Sequence, residues 1–385
     1  MNEEALKRIE EEKKKRTGRL DLSDLALMAI PEEVTKMEWL TYIDARLNHI
    51  SDISPIQGLS NLTHINFNDN KVTDISPIYL LRKLTTIFFN VNQIFDISPT
   101  KNLKNLTQLY FERNLIQNIE PISILDNLEA ISFAANEIKD IKPIAKLKRL
   151  KSIGFTANKI FDISAIKQLT NLVEIYFSNN EISDISPIQG LEKLTKINFG
   201  NNEIRDISPI QGLENLTQID FFNNQIRDIS PIQGLRNLTE IIFDINKISD
   251  LSPIQELGNL TQINFGDNQI SDLSPIQGLR NLTQIVFWNN QISDISQFYF
   301  IKKLPRLYID VHENPFVQTN NLVLNPIENH FNVIKVALEK LKESEQHDSV
   351  TGYLPIKVLM MGNHGSGKSS LVQYLKYDNL NYKGD

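Results

Sequence analysis

The sequence contains no cysteine among its 385 residues. This absence excludes disulfides and thiolate metal sites, and it makes a reducing compartment such as the cytosol the natural setting. An excess of basic residues is also missing, because 40 Lys and Arg stand against 47 Asp and Glu. The net charge of -7 opposes the positive surface that binding to a phosphate backbone requires. Nucleic acid is therefore not an expected partner.

Long apolar runs are lacking as well. No window reaches the roughly 18 consecutive apolar residues of a membrane helix, so no membrane span is expected. The N-terminal residues MNEEALKRIEEEKKKR are too charged for the apolar region of a signal peptide. Leu6 and Ile9 lie at helical spacing there, which predicts a short capping helix over residues 1–17. These features favour a cytoplasmic protein.

The dominant feature of the sequence is a repeat of 22 residues, clearest in LEKLTKINFGNNEIRDISPIQGL at 191–213. One column of the repeat is asparagine, at positions 48, 70, 92, 114, 136, 158, 180, 202, 224, 246, 268 and 290. Three residues before each asparagine, from Phe67 to Phe287, stands a phenylalanine. A constant period of this kind predicts a solenoid, in which stacked units share one core.

Within one unit, apolar and polar residues alternate with the period of a strand. Ile197 and Phe199 are expected in the core, and Lys196, Asn198 and Gly200 are expected to face solvent. The following D-I-S-P-I segment contains proline, which suits a 3₁₀ or irregular return better than a long helix. The pattern predicts an arc of roughly thirteen units, with a concave parallel sheet about 60 Å long and a thin convex side.

An aspartate column follows the asparagines in the repeat, at positions 52, 74, 96, 140, 162, 184, 206, 228, 250, 272 and 294. A ladder of calcium sites is one interpretation of this column. No second column of ligands accompanies it, however, so capping of the turn by each carboxylate is favoured. The N-L-T sequons, which begin at Asn61, Asn105, Asn215, Asn237, Asn259 and Asn281, occupy one slot of the repeat and do not indicate secretion.

The unit L-x-x-I-x-F-x-x-N-x-I-x-D-I-S-P-I resembles the leucine-rich repeat family, in its 22-residue, internalin-like class. The resemblance covers residues 18–316, with Gly18 to Trp39 as an atypical first repeat. We expect the series to end in a capping unit at 299–316, where His312 takes the place of the asparagine. A helical linker is expected over 317–351, with a helix from His330 to Leu341 followed by a flexible joint.

Function should reside where the repeat varies, at the solvent-facing positions six, four and two residues before each asparagine. Large apolar side chains there are candidate partner-binding residues, since exposed aromatics mark interface anchors. The candidates are Phe88, Tyr110, Tyr176, Phe222, Ile242, Val286, Trp288 and Tyr308, interspersed with Asp44, Arg46, Glu112, Asp220 and Asp244. Small residues between Tyr110 and Tyr176 predict a shallow dip. An apolar surface without a partner is the alternative interpretation.

A second, unrepeated signal lies in LPIKVLMMGNHGSGKSSLVQYL at 354–375. Its Gly362 to Ser369 segment matches G-x-x-x-x-G-K-[ST], between a predicted strand and a predicted helix. The backbone N–H groups of such a loop close around phosphate oxygens, Lys368 would reach the β and γ phosphates, and Ser369 would ligate Mg²⁺. The predicted phosphate-binding residues are Gly362, Asn363, His364, Gly365, Ser366, Gly367, Lys368, Ser369 and Ser370.

Leucine-rich repeats, a helical joint and a P-loop in this order resemble the Roco family, in which a Ras-like GTPase domain called Roc and a dimerising COR domain follow the repeats. The resemblance implies that 352–385 is the start of a Roc domain and that the rest of that domain lies beyond Asp385. It also implies GTP or GDP and Mg²⁺ as cofactors of a homodimeric parent. His364 departs from the glycine usual in Ras-like loops.

The sequence therefore predicts an α/β solenoid followed by the first part of a P-loop domain. This chain alone would be a binding scaffold without a complete nucleotide site, belonging to a parent that binds and hydrolyses GTP. The concave face would bind a protein partner or the parent's own GTPase module. Two alternatives stay open: an adhesin-type scaffold without nucleotide chemistry, and an ATP-dependent repeat-containing signalling protein.

Overall fold

The structure is a computed structural model, and it describes residues 2–304, 306–325 and 328–348, with side chains up to residue 343. All residues of the predicted P-loop, Gly362 to Ser370, lie outside the described residues. The described residues comprise the repeat region and the helices at its two ends.

Fourteen parallel strands form one sheet, in the order in which they occur in the chain. They are β1 Arg19–Asp21, β2 Tyr42–Asp44, β3 His64–Asn66, β4 Thr86–Phe88, β5 Gln108–Tyr110, β6 Ala130–Ser132, β7 Ser152–Gly154, β8 Glu174–Tyr176, β9 Lys196–Asn198, β10 Gln218–Asp220, β11 Glu240–Ile242, β12 Gln262–Asn264, β13 Gln284–Val286 and β14 Tyr308–Asp310. Each residue pairs with its equivalent one unit later, as Lys196 does with Gln218. The predicted solenoid with a parallel sheet is confirmed, with fourteen strands where about thirteen units were expected.

The opposite side of the arc consists of short 3₁₀ helices, as the proline in each unit predicts. They span Glu32–Lys36, Ser54–Ile56, Ser76–Ile78, Ser98–Asn102, Glu120–Ile122, Lys142–Lys146, Ser164–Ile166, Ser186–Ile188, Ser208–Ile210, Ser230–Ile232, Ser252–Ile254, Ser274–Ile276 and Ile295–Lys303. Most have proline in their first turn, where its missing N–H leaves no hydrogen bond unmade.

The aspartate column caps these turns. In a typical unit, the Oδ1 atom of Asp206 accepts a hydrogen bond of 2.7 Å from the backbone N–H of Ser208, and its Oδ2 accepts one of 2.9 Å from the Ser208 hydroxyl. Within the described part of the chain, no group of three or more His, Asp or Glu side chains is arranged to hold a metal ion. Turn capping is confirmed, and the calcium interpretation of the column is not supported by the geometry.

The phenylalanine column forms the core. The eleven rings from Phe67 to Phe287 are fully buried, and neighbouring rings stack with centroids 5.5 to 6.0 Å apart. Ile197 and its equivalents fill the layer next to the sheet. Since every unit presents the same shape to the next, each ring is enclosed by its neighbours without any contribution from a distant part of the chain.

The asparagine column satisfies backbone groups that the turn after each strand leaves unpaired. The Oδ1 atom of Asn224 accepts from the N–H of Ile204 at 2.9 Å, and its Nδ2 donates to the carbonyls of Phe199 and Phe221 at 3.0 and 3.2 Å. The residue before each asparagine is left-handed, which suits Asn223 (φ 49°) but strains the β-branched Ile245 (φ 56°). The expected asparagine ladder is confirmed.

A second asparagine ladder runs along the outside of the arc, and sequence reasoning missed it. It uses the N-L-T slot, where Asn215 Nδ2 donates to the carbonyl of Glu192 at 2.8 Å and Asn237 Nδ2 to that of Glu214 at the same distance. The side-chain amide thus bridges two units at the surface. A structural role explains why asparagine recurs in this slot.

Helix α1, Glu3–Lys15, covers the N-terminal end of the core, as predicted. Its inward face consists of Ala5, Ile9 and Glu12, while the predicted Leu6 is only half-buried. The Glu12 carboxylate accepts hydrogen bonds from the N–H of Gly18 at 2.8 Å and the indole of Trp39 at 3.0 Å. Burial raises the pKa of Glu12, but the hydrogen bonds outweigh it and hold this pKa below its usual value. An ionised carboxylate therefore fastens α1 to the first repeat.

The C-terminal end departs from the prediction in its register. β13 and β14 are offset by 24 residues, with Gln284 paired to Tyr308, so that Asn314 and not His312 takes the asparagine position. Asn314 is buried, and its Nδ2 donates to the carbonyl of Phe287 at 2.7 Å, as the ladder requires. The prediction for His312 was wrong because the last unit is two residues longer than the others.

Up to residue 348, two α-helices follow β14: α2, Pro315–Thr319, and α3, Phe331–Asp348. The free edge of β14 is closed by Asn329, whose Oδ1 accepts from the N–H of Ile309 at 3.1 Å, and by the buried His330. Ile334, Ala337 and Leu338 of α3 pack on the end of the core. The predicted flexible joint after Leu341 is wrong up to Asp348, since α3 continues to that residue.

Candidate functional site on the concave face

The strand register places the predicted partner-binding residues on the concave face. Phe88, Tyr110, Tyr176, Ile242 and Val286 are the third residues of their strands, Tyr308 is the first residue of β14, and Phe222 and Trp288 lie two residues beyond β10 and β13. Seven of the eight are half-buried. Val286 is the exception, because only 8% of its surface is exposed between Asn264 and Asp310. Val286 is therefore a packing residue of this face rather than an accessible anchor.

The candidates divide into two groups. At the N-terminal end, Phe88 and Tyr110 stack on neighbouring strands with centroids 4.9 Å apart and planes inclined by 4°. The rings of Tyr42 and His64 lie 6.2 Å apart on β2 and β3, and the Arg19 guanidinium lies 4.0 Å from the Tyr42 ring centre. We call these five residues the N-terminal aromatic patch. Tyr42 and His64 obey the same position rule as the predicted residues but were not among them.

Between the two groups, β6 and β7 present small side chains. Gly154 has no room for a larger residue, since a Cβ atom there would lie 2.8 Å from the Ser132 hydroxyl. That hydroxyl donates to the Glu112 carboxylate at 2.7 Å. The dip predicted between Tyr110 and Tyr176 therefore corresponds to a stretch of small, hydrogen-bonded residues.

Tyr176 stands alone at the near edge of the second group. Its hydroxyl donates to the Glu174 carboxylate at 3.2 Å. Burial, together with the neighbouring charge and hydrogen bond of Glu174, raises the pKa of Tyr176 to about 12. The Tyr176 hydroxyl is therefore neutral at physiological pH, and its hydrogen bond to Glu174 restricts the orientation of the ring.

The second group surrounds a depression of about 470 Å³, which we call the C-terminal depression. Its lining residues are Ser178, Asn179, Asn198, Gly200, Asn201, Asp220, Phe222, Ile242, Asp244, Asn264 and Trp288. It brings together three of the predicted anchors with two carboxylates. Phe88 and Tyr110 are not part of it.

Glycines give the aromatic side chains of this depression their positions. A Cβ atom on Gly266 would lie 2.0 Å from Nε1 of Trp288, so the indole occupies the space that a side chain would take. On its other side, Trp288 stacks on His312 with centroids 5.8 Å apart. A Cβ atom on Gly200 would lie 3.4 Å from Cβ of Phe222. Trp288 is therefore fixed between two strands before any partner binds.

The two carboxylates of the depression are satisfied mainly by neutral donors. Asp220 accepts from the N–H of Phe222 at 2.9 Å and from Asn198 Nδ2 at 3.0 Å. Asp244 accepts from the N–H of Gly266 at 3.0 Å.

Both carboxylates are harder to ionise than usual. Burial raises the pKa of Asp220, against the lowering effect of the Phe222 amide. Burial likewise raises the pKa of Asp244, to about 6, against the hydrogen bond from Gly266, and the charge of Asp220 adds to the increase. The depression is thus a site where negative charge is maintained at an energetic cost.

Comparison with known proteins identifies the scaffold. Residues 38–80, 170–212, 214–256 and 258–308 match the family described as leucine-rich repeats in two copies. The structure is similar to that of an internalin, inlF, from Listeria monocytogenes, with 30% sequence identity and a TM-score of 0.71, covering 80% of this chain and 86% of that one. The chain belongs to the leucine-rich repeat family. Its repeats are of the internalin-like type.

More distant leucine-rich repeat structures share the fold alone. A leucine-rich repeat protein from Leptospira interrogans is 24% identical, with a TM-score of 0.70, and the match covers 83% of this chain and 82% of that one. The ectodomain of the GASSHO1/SCHENGEN3 receptor kinase from Arabidopsis thaliana, in complex with Casparian strip integrity factor 2, is 19% identical, with a TM-score of 0.61, over 77% of this chain and 44% of that one. No curated protein sequence matches this leucine-rich repeat chain.

The predicted nucleotide site, from Gly362 to Ser370 and including the predicted Mg²⁺ ligand Ser369, lies outside the part of the leucine-rich repeat chain that the structure describes. Among the helices that the structure does describe, none has the length and apolar character needed to span a bilayer. The concave face of the repeats is therefore the candidate site that the geometry can assess.

Proposed function

We propose that the leucine-rich repeat arc is a protein-interaction scaffold that binds its partner on the concave face. The observation that carries this proposal is the set of half-buried aromatic side chains on that face, which form the N-terminal aromatic patch and the walls of the C-terminal depression. Rigid aromatic rings anchor interfaces because they bury a large area at a small cost in conformational entropy.

The comparisons support binding of a protein or peptide. The Arabidopsis receptor ectodomain holds a separate factor in its complex, although its likeness to this chain concerns the fold alone. The internalin is a family member of similar size. Either a separate protein or another module of the parent would fit a face of fourteen strands.

Selection of peptides from a displayed random library on this chain tests the proposal. Tyr110→Ala and Phe222→Ala should each weaken the selected peptides, whereas Phe161→Ala, which removes a 62% exposed ring on the convex side, should not. All three proteins should unfold cooperatively, so that loss of binding is not loss of structure. Binders that respond to Phe161 and ignore both concave residues, or a chain that selects no peptide, would count against the concave face.

We further propose that the parent is a nucleotide-regulated protein of the Roco type, which binds and slowly hydrolyses GTP with Mg²⁺ and dimerises through its later domains. The support is the sequence motif from Gly362 to Ser369, and a cytoplasmic location follows from this proposal. In the full-length protein, Lys368→Ala should abolish binding of a fluorescent guanine nucleotide. Unchanged binding would refute the assignment, and preference for an adenine nucleotide would favour the ATP-dependent alternative.

The second candidate is an adhesin-type scaffold with no nucleotide chemistry. The 30% identity to the internalin favours it. In that case the full-length protein binds neither guanine nor adenine nucleotide, while the concave variants still abolish partner binding. The two proposals thus share the concave surface and differ only in nucleotide binding.

A further inference from the structure

We propose that the C-terminal depression receives a basic side chain, arginine in preference to lysine, from the partner. This inference rests on the proposed function, because it names the chemistry of one anchor of the concave face. It starts from the composition of the depression: among its described lining residues there are two carboxylates and no lysine, arginine or histidine.

Other buried aspartates of the concave face have a basic side chain beside them, and the aspartate of the depression does not. Within the described residues, three aspartates of this face are buried: Asp44, Asp244 and Asp310. Asp44 has the Arg46 guanidinium 3.6 Å away, and Asp310 has Nδ1 of His312 at 2.6 Å. In the described part of the chain, Asp244 has no basic nitrogen within 4.0 Å, and the neighbouring charge that acts on it is that of another acid, Asp220. The face thus places a basic side chain beside every buried aspartate except the one in the depression.

A buried carboxylate without a counter-charge destabilises its surroundings, since its hydration is only partly replaced by amide dipoles. Asp244 has the Gly266 amide and the Trp288 indole in that role. A cation brought by a partner would recover the missing interaction, and the gain would be larger than at the surface because water is largely excluded there. The depression is therefore complementary in charge to a ligand that the chain itself lacks.

The aromatic walls decide which cation fits. Trp288 lies immobilised against Gly266 beside Asp244, and the Phe222 ring lines the other side. The indole already has Gly266 on one side and His312 on the other, so a planar guanidinium would stack on the Phe222 ring while its N–H groups reach the carboxylates. An ammonium would satisfy the charge but not the stacking geometry. Two acids beside an aromatic ring therefore favour arginine.

The test titrates the chain with N-acetyl-arginine methylamide and with its neutral isostere, N-acetyl-citrulline methylamide. The indole N–H resonance of Trp288 reports binding, and that of Trp39, the other of the two tryptophans and bonded to Glu12, serves as the internal reference. We expect a saturable shift of the Trp288 signal with the arginine compound, and binding weaker by about tenfold or more with citrulline, since a charge-assisted hydrogen bond is lost. The lysine analogue should bind between the two.

Variants assign the binding to the depression. Asp244→Asn and Asp220→Asn should each weaken the arginine compound by about tenfold or more. Asp44→Asn removes an equally buried aspartate outside the depression and should leave binding unchanged. If one of the two depression variants fails to fold, the other still gives the answer.

Several results would overturn the inference: no saturable shift, equal affinity for citrulline, equal weakening by Asp44→Asn, or saturation of the site by calcium chloride with no response to arginine. Failure of this test is distinct from failure of the concave scaffold. Peptides that bind through the N-terminal aromatic patch, and that Tyr110→Ala weakens, would leave the scaffold proposal standing while the arginine site falls.

Discussion

The inner asparagine ladder makes a quantitative prediction about stability. In Asn224→Ala, the buried N–H of Ile204 loses its partner, and the carbonyls of Phe199 and Phe221 each lose one of two donors, keeping the amides of Asn202 and Asn246. Asn224 is 7% exposed, so water reaches these groups at most from one side. The substitution therefore removes hydrogen bonds without providing a solvent to replace them.

The magnitude follows from one unpaired group and two weakened ones. A buried polar group left unpaired costs about 1 to 3 kcal/mol, each lost carbonyl hydrogen bond adds about 0.5 to 1.5 kcal/mol, and one entering water molecule can compensate part of the total. We expect the free energy of unfolding to fall by about 2 to 4 kcal/mol. Asn215→Ala is the matched control, because it removes one exposed hydrogen bond between units and should cost about 1 kcal/mol or less.

Urea unfolding followed by circular dichroism and by tryptophan fluorescence measures the difference. The two tryptophans, Trp39 and Trp288, report on opposite ends of the arc. Neighbouring units stabilise each other, so a large local loss can separate the transitions of the two ends. Equal destabilisation by Asn224→Ala and Asn215→Ala would show that the inner ladder is no more important than the surface one, and the reasoning would fail.

Three further predictions concern the core and the depression. Phe199→Ala should lower the free energy of unfolding by about 3 to 5 kcal/mol, and Phe222→Ala, which truncates a half-buried ring, should lower it by much less. Equal losses in chemical denaturation would show that the assignment of Phe199 to the core and Phe222 to the concave surface is wrong. The folded-state pKa of Asp244 is raised to about 6, so the stability of the wild-type protein should fall as pH rises through that value and the carboxyl group ionises. Asparagine does not ionise. Asp244→Asn should therefore be more stable than wild type at pH 7, by up to about 3 kcal/mol, and equal to it near pH 4. A pH series of unfolding curves with a constant difference would contradict this. Gly266→Ala must displace the indole that lies against it and should lower the melting temperature, whereas Gly258→Ala meets nothing within 4 Å and should not; equal melting temperatures would show that the indole moves freely.

The repeated part of the fold was predictable because each unit reports on all the others. The period assigns Ile197 and Phe199 to the core, and the structure confirms both as buried. The turn-capping role of residues such as Asp206 was predictable for the same reason, since it uses only local hydrogen bonds. One well-determined unit thus fixes the positions of nearly three hundred residues.

Where the repeat ends, that logic no longer holds. His312 was misassigned because the last unit has two additional residues. A prediction that assumes a constant 22-residue period cannot detect a unit of different length. The length of α3 was underestimated because Lys342–Asp348 is polar, yet polar residues continue a helix once its first turns are packed on a core. Cap elements depend on tertiary contacts that no neighbouring unit repeats.

The sequence predicted which side of the arc carries the candidate site, but not the burial and charge of its individual residues. Position within the unit correctly placed Phe222, Ile242 and Trp288 on the concave face. Burial of Val286 depends on neighbours from the adjoining strands, which the columns alone do not describe. The unpaired charge of Asp244 becomes evident only when distances to basic groups are known. Chemistry at this face arises between units, whereas the sequence pattern describes one unit at a time.

Glycine and aromatic residues show how neighbouring units specify this face together. Tyr176, Phe222 and Trp288 each have a glycine in the same column one unit earlier, at 154, 200 and 266. For Gly200 and Gly266 a Cβ atom would meet the following aromatic residue, while at Gly154 it would meet Ser132 instead. A large ring can lie across the strand before it only where that strand lacks a side chain, since strands in a sheet are about 4.8 Å apart. At Phe222 and Trp288 the glycine therefore sets the direction of the aromatic side chain. The placement of these two rings thus depends on pairs of residues 22 positions apart.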